Sequence, residues 1–121
     1  MRERNLIKAL LKQETQELHS AGTHLMSPCR EEQEKALLTI LLVRETVSRL
    51  LKKLPGKKAK QIWEGVNYLD GVYVQGMISA HRSRGDTDLA FEMLSSYASI
   101  VSLMNCAVNE NARELPNYSV R

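Results

Sequence analysis

The stretch VNYLDGVYVQG, from Val66 to Gly76, decides the fold because its residues fit two incompatible structures. Asp70-Gly71 between runs that contain Val and Tyr is typical of a tight β-hairpin turn. Such a hairpin would have strands of about four residues and no third strand to pair with, which is marginal in water. The surrounding apolar residues instead recur at helical spacing. They are Ile62, Val66, Leu69, Tyr73, Met77 and Ala80.

A helix through this stretch must accommodate Gly65, Gly71 and Gly76. Each glycine costs a helix about 1 kcal/mol relative to alanine. Burial of a few large apolar side chains contributes more than the sum of these costs. We therefore predict a helix here, either continuous or kinked near Gly71.

Three further helices follow from the remaining apolar periodicity and from the residues that end or begin it. Gly22, Ser27-Pro28, Pro55-Gly56 and Asp86 to Asp88 supply the stop and start signals. The predicted helices cover residues about 3–20, 28–54, 58–83 and 87–109, with a tail at 110–121. Four amphipathic helices with short connections predict a single all-α domain, residues 1–121, folded as an antiparallel four-helix bundle.

The second helix carries more apolar surface than one buried stripe requires. Its heptad seam runs from Ala36 to Leu54, and Leu37, Leu38, Leu41 and Leu42 lie beside that seam. A helix that is apolar nearly all round must be covered on more than one side. This predicts a homodimer or a partner over Leu38 and Leu42. The alternative is that this helix is the central one of an irregular monomeric fold.

Two other helix faces are small enough for close approach by a neighbouring helix. On the third helix the face consists of Gly65, Leu69, Val72 and Gly76. On the fourth helix a stripe of small side chains is formed by Ser95, Ser99, Ser102 and Cys106. We predict that both faces contact another helix, which belongs either to this chain or to a partner.

A lysine cluster surrounds the turn between the second and third helices. It comprises Lys52, Lys53, Lys57, Lys58 and Lys60, with no acidic residue among them and Trp63 just after. Lysines at a helix N-terminus are unfavourable by about 0.3 to 1 kcal/mol each. Their presence suggests contact with nucleic-acid phosphates or with an acidic protein surface, and the alternative is a solvated turn. The net charge of +3 is too small to decide between these alternatives.

The histidines and cysteines give little indication of catalysis. His19 and His24 lack metal-ligand spacing, and Cys29 and Cys106 form neither a disulfide framework nor a metal site. The segment Ser79 to Asp86 resembles the phosphate-accepting segment of histidine-phosphotransfer domains. The residues that match this segment are Ala80, His81, Arg84 and Gly85. That resemblance implies an exposed His81 nucleophile; the alternative is a helix end whose last turn carries His81, Arg82 and Arg84 and whose C-cap is Gly85.

These observations favour a small cytosolic protein that binds other proteins and has no enzymatic activity, cofactor or metal. Its role would be that of a regulator, adaptor or dedicated chaperone, and it would be a homodimer. No run of about 18 apolar residues is present, so we expect no membrane span. The alternatives are a nucleic-acid-binding protein that uses the lysine cluster, and a phosphotransfer protein that uses His81.

Overall fold

The computed structural model describes residues 2–54 and 56–117, with side chains for residues 4–54, 56–57 and 59–109. Across these residues it contains four α-helices and no β-strand. The helices are α1 (Arg2–Leu25), α2 (Arg30–Leu51), α3 (Lys57–Arg84) and α4 (Asp88–Asn117). Both α1 and α3 pack against α2 and α4, and α2 also contacts α4. The prediction of an all-α helical bundle is confirmed.

The deciding stretch lies in the middle of α3 and is helical throughout. Among the described residues only Gly56 and Gly85 have positive φ, so Gly71 does not adopt the conformation of a hairpin turn. The predicted apolar stripe faces the interior. Within it Ile62, Val66, Met77 and Ala80 are buried, and Leu69 and Tyr73 are half-buried against the core.

The core is built from the predicted seam of α2 and from an apolar stripe of α4 that comprises Ala90, Leu94, Tyr97, Val101, Met104 and Val108. The α2 seam is buried along its whole length, and Leu54 stays buried although the helix ends before it. The α4 stripe is also buried, except for the half-buried Leu94. The largest fully buried side chains are Leu11, Ile40, Met77, Met93, Tyr97 and Met104.

The predicted end of α1 near residue 20 is too early, because the helix continues through Gly22 to Leu25. Ala21 and Leu25 are both buried, and burial of the leucine alone offsets the helix cost of one glycine. Gly22 also packs close to α4, where an added Cβ would lie 3.8 Å from a methyl carbon of Leu94. Near the start of α1, Leu6 is 57% exposed.

The predicted start of α2 at Ser27-Pro28 is also early. The N-cap is Cys29, whose carbonyl accepts the first helical bond from the N–H of Gln33 at 3.1 Å. The Ser27 hydroxyl accepts instead from the N–H of Cys29 at 3.1 Å, which stabilises the preceding turn. At its other end α2 stops at Leu51, and the N–H of Leu54 bonds to the Leu51 carbonyl in a tight turn.

The two remaining helix ends differ in how well they were predicted. Gly85 ends α3 in the left-handed conformation, with φ of 68° and its N–H 2.8 Å from the His81 carbonyl oxygen, as predicted. The last helix continues to Asn117, beyond the predicted end at 109. Helix-favouring residues, Ala112 to Leu115, occupy much of this extension. The rest of the predicted tail, 118–121, lies outside the described residues.

Candidate functional site

Two neighbouring helices share one outward surface that carries almost no charge. The chain has 17 basic and 14 acidic residues. The segments Gly65–Ala80 of α3 and Met93–Val108 of α4 nevertheless contain a single charged residue, Asp70. The exposed side chains of these two segments are called the uncharged face below. Because exposed helix surfaces are normally rich in charged residues, this face is unusual for a domain with 26% charged residues.

Two contacts fix how the uncharged face is assembled from α3 and α4. The Tyr97 hydroxyl donates a hydrogen bond to Asp70 Oδ1 at 2.7 Å. One and a half turns further along α3, an added Cβ on Gly76 would lie 3.3 Å from a methyl carbon of Leu89. Gly76 is therefore partly covered by α4 of the same chain. The absence of a side chain at Gly76 lets Leu89 approach α3.

The other predicted contact residues on α3 are more open. Val72 is 50% exposed and the neighbouring Tyr68 is 69% exposed. Gly65 is exposed, and no described atom lies within 4 Å of the position that its Cβ would occupy. Leu69 is half-buried against the core. The predicted low-profile face is thus divided between an inner part, at Leu69 and Gly76, and an open part.

The small side chains of α4 lie on its outer side. Ser95, Ser99, Ser102 and Cys106 are all exposed. Leu103 is 55% exposed on the same outer side of the helix. Because these side chains are exposed, the stripe is open to a partner.

A polar network beneath the uncharged face ties three helices together. Asp70 of α3 accepts the hydrogen bond from Tyr97 of α4 and pairs with Arg44 Nε of α2 at 2.9 Å. Tyr97 is fully buried, and burial together with the hydrogen bond to Asp70 raises the pKa of its phenol above the ordinary value. Asp70, the residue that suggested a hairpin, therefore holds α3 against α2 and α4. The network was not predicted.

Leu38 and Leu42 lie on another side of the molecule. Each is 58% exposed on the outer side of α2, and Leu37 in the same segment is buried. The inner sides of α2 and α4 meet in the core, so their outer sides face in different directions. The predicted contacts on α2 and on α4 therefore belong to two separate surfaces.

The lysine cluster lies where the sequence indicated, at the first turn of α3. This helix begins at Lys57 and has no acidic residue in its first turn, and Gly56 provides no side-chain cap. The side chains of Lys52, Lys53, Lys57 and Lys60 are exposed, whereas that of Lys58 lies outside the described residues. The unfavourable placement of lysines at the positive end of the helix dipole is thus retained in the fold.

The expectation of an exposed His81 is wrong. His81 is 3% exposed, and neither ring nitrogen has a hydrogen-bond partner among the described residues. Its Nε2 lies 3.9 Å from Glu34 Oε1. Arg30 caps this end of α3 by donating to the carbonyls of His81 and Arg82, at 2.9 and 3.2 Å. A buried imidazole does not offer the accessible nucleophile that phosphotransfer requires.

A second buried titratable group was missed by the sequence reasoning. Glu14 of α1 is 7% exposed. Burial raises the pKa of its carboxyl above the ordinary value, nearby Glu17 adds to the effect, and a hydrogen bond with Thr46 opposes it. The available signal was the position of Glu14, three residues after Leu11 and four before Leu18 on the apolar stripe of α1.

Two further features of the chain bear on metal binding and on membrane insertion. In the described part of the chain, no group of three or more His, Cys, Asp or Glu residues is placed to hold a metal ion. Residues Asp88–Asn109 of α4 are long and apolar enough, by length and composition, to cross a membrane, with 39% of the apolar window buried. The core helix of a water-soluble protein meets the same criterion.

A search of known protein families, characterised proteins and solved structures finds no match to this chain.

Proposed function

We propose that this protein is a non-enzymatic interaction module, an antiparallel four-helix bundle that docks other protein surfaces through its uncharged face. A second copy of the chain is the partner we propose first. The observation that supports this proposal is the exposure of Tyr68, Val72 and Leu103 on a surface without outward charge. The fully buried part of a protein interface is depleted in charged residues and enriched in aromatic ones.

The short connections between helices support the antiparallel arrangement. Residues 26–29, 52–56 and 85–87 are the only chain available to join consecutive helices. Connections of this length place consecutive helices side by side and in opposite directions. The contacts of Asp70 with Tyr97 and of Gly76 with Leu89 fit this direction, because a later residue of α3 meets an earlier residue of α4.

The dimensions of the uncharged face support a weak interface. Each helix segment is about 24 Å long at 1.5 Å per residue. Two helices about 9 Å apart, each about 10 Å across with its side chains, then present roughly 450 Å² to a partner. A standard interface buries about 800 Å² on each side, so this face has the size of a weak, transient interface. Reversible binding of this strength suits a regulator, an adaptor or a dedicated chaperone.

Packing on the inner side of α4 favours protein docking over membrane insertion. Met93, Tyr97, Val101 and Met104 are buried against the other helices. Tyr97 also donates its hydrogen bond to Asp70, which pairs with Arg44. Transfer of α4 into lipid would break these contacts and leave the Asp70–Arg44 pair without its third member. We therefore propose that α4 stays in the bundle and that its outer side meets protein.

Sedimentation equilibrium tests the proposal at Ser99, an exposed residue near the middle of the stripe. We expect the wild-type chain to associate between about 10 µM and about 1 mM, because this range brackets a weak interface. Ser99→Arg places an unpaired charge in the interface and abolishes association. The matched control is Gln16→Arg on the exposed side of α1, which leaves association unchanged.

Equal association of the wild-type chain and Ser99→Arg contradicts docking through the uncharged face. A wild-type chain that stays monomeric throughout this range rules out the homodimer. In that event, a partner that co-purifies with the wild-type chain and is lost with Ser99→Arg still supports the interaction module.

A second candidate function is nucleic-acid binding through the lysine cluster. It is favoured by the start of α3 at Lys57, which leaves the lysines at the positive end of the helix instead of in a preceding solvated turn. Four of the five lysine side chains are described, and all four are exposed. Joint replacement of Lys57, Lys58 and Lys60 by glutamine tests this candidate through the salt dependence of binding.

A further inference from the structure

A shallow cavity of about 430 Å³ lies at the turn between α2 and α3 and is mostly open to solvent. Its apolar wall is made by Leu51, Leu54, Ala59 and Trp63. Three of these, Leu51, Leu54 and Ala59, are buried in the bundle, so the wall is part of the folded core. Cavities of about 300 to 1,000 Å³ are typical of small-molecule sites.

Lysines give this apolar cavity a positive rim. Lys52 at the end of α2 and Lys60 in the first turns of α3 both line the cavity. Lys53 and Lys57 are exposed beside it. From Leu51 to Trp63 the chain has no acidic residue, and the next one along α3 is Glu64. A ligand that fills the cavity therefore meets an aliphatic interior and cations at the mouth.

We propose that this cavity binds a small amphipathic anion, with an alkyl chain in the interior and a carboxylate between Lys52 and Lys60. Charge complementarity selects an anion, and the aliphatic wall selects an alkyl chain over a nucleobase. A base would place its polar edges against Leu51, Leu54 and Ala59 without hydrogen-bond partners. The cavity is separate from the uncharged face, so the ligand-binding proposal is tested independently of the proposed docking function.

Trp63 provides a direct measure of occupancy because it is the only tryptophan in the chain and lines the cavity. We expect octanoate to change Trp63 fluorescence with one site per chain. Each fully buried methylene contributes about 0.8 kcal/mol, so octanoate binds more tightly than hexanoate, by at most about 15-fold. Octanol has the same chain length without the charge. It binds more weakly than octanoate by about two- to fivefold for each lysine that pairs with the carboxylate.

Variants on both parts of the site complete the test. Lys60→Gln weakens octanoate binding by about two- to fivefold and leaves octanol binding unchanged. Ala59→Leu fills the cavity and abolishes binding of both ligands. Lys12→Gln, an exposed position on α1, is the matched control and changes neither. If circular dichroism shows that Ala59→Leu does not fold, the comparison of octanoate and octanol binding by Lys60→Gln still tests the site.

Three results would overturn the proposal. The first is equal binding of octanoate and octanol, which removes the role of the lysines. The second is binding of several octanoate molecules per chain that is unaffected by Lys60→Gln. The third is displacement of octanoate by an oligothymidylate at lower concentration than by decanoate, which assigns the lysines and Trp63 to single-stranded nucleic acid.

Discussion

Replacement of Asp70 by alanine removes the acceptor that Tyr97 and Arg44 share, and we expect it to destabilise the bundle by about 1 to 4 kcal/mol. Tyr97 is fully buried, so its hydroxyl loses its partner inside the bundle. A buried donor left unsatisfied costs about 1 to 3 kcal/mol. The pair with Arg44 contributes at most about 1 kcal/mol, because both side chains remain about a quarter to a third exposed.

Urea unfolding followed by circular dichroism measures this change directly. Tyr97→Phe removes the buried hydroxyl, so it should reduce the additional cost of Asp70→Ala in the double variant. We expect a double-mutant cycle of Asp70→Ala and Tyr97→Phe to show a coupling free energy of about 1 to 2 kcal/mol. Glu64→Ala, at an exposed position of the same helix, is the matched control and is expected to stay within about 0.5 kcal/mol of wild type. A cost for Asp70→Ala no larger than for Glu64→Ala, or additive effects in the cycle, would refute the network.

Three other predictions concern the α3 helix, the buried carboxyl and the lysine cluster. Gly71→Ala should raise the free energy of unfolding by about 1 kcal/mol, because Gly71 is helical and no described atom lies within 4 Å of an added Cβ; destabilisation in urea would instead indicate a turn. The pKa of Glu14 in the folded chain is raised above its ordinary value, so its contribution to stability is lost as pH rises through the folded pKa. Glu14→Gln should therefore stabilise the protein more at about pH 8 than at about pH 4. A pH-independent difference contradicts this. If the chain binds nucleic acid, joint replacement of Lys57, Lys58 and Lys60 by glutamine should reduce the salt slope of binding by up to about three, and unchanged binding eliminates this candidate.

Periodicity along the chain predicted the helices of this protein well. The stripe from Ile62 to Ala80 keeps its phase through Asp70-Gly71, and this long-range signal outweighs a two-residue turn signal. Helix ends were less predictable. Gly22 signals a stop locally, but contact with Leu94 and burial of Leu25 are tertiary effects that keep α1 helical.

The candidate sites depend on which helices are neighbours, and periodicity does not contain that information. Asp70, Arg44 and Tyr97 lie 26 or more positions apart in pairs, so their network follows only from the packing of α2, α3 and α4. His81 was placed correctly at a helix end, but its burial depends on α2 lying beside it. The small faces of α3 and α4 were identified separately, and the fold brings them to one side of the bundle.

The chain's own cysteines allow the most direct measurement of docking through the uncharged face. Both Cys106, on the serine stripe of α4, and Cys29, at the turn before α2, are exposed. Isotope-coded alkylation with mass spectrometry gives the ratio of their reaction rates in one sample. We expect Cys106 to react progressively more slowly than Cys29 as the chain associates with itself or with a saturating partner. A ratio that stays constant while association is complete would contradict it.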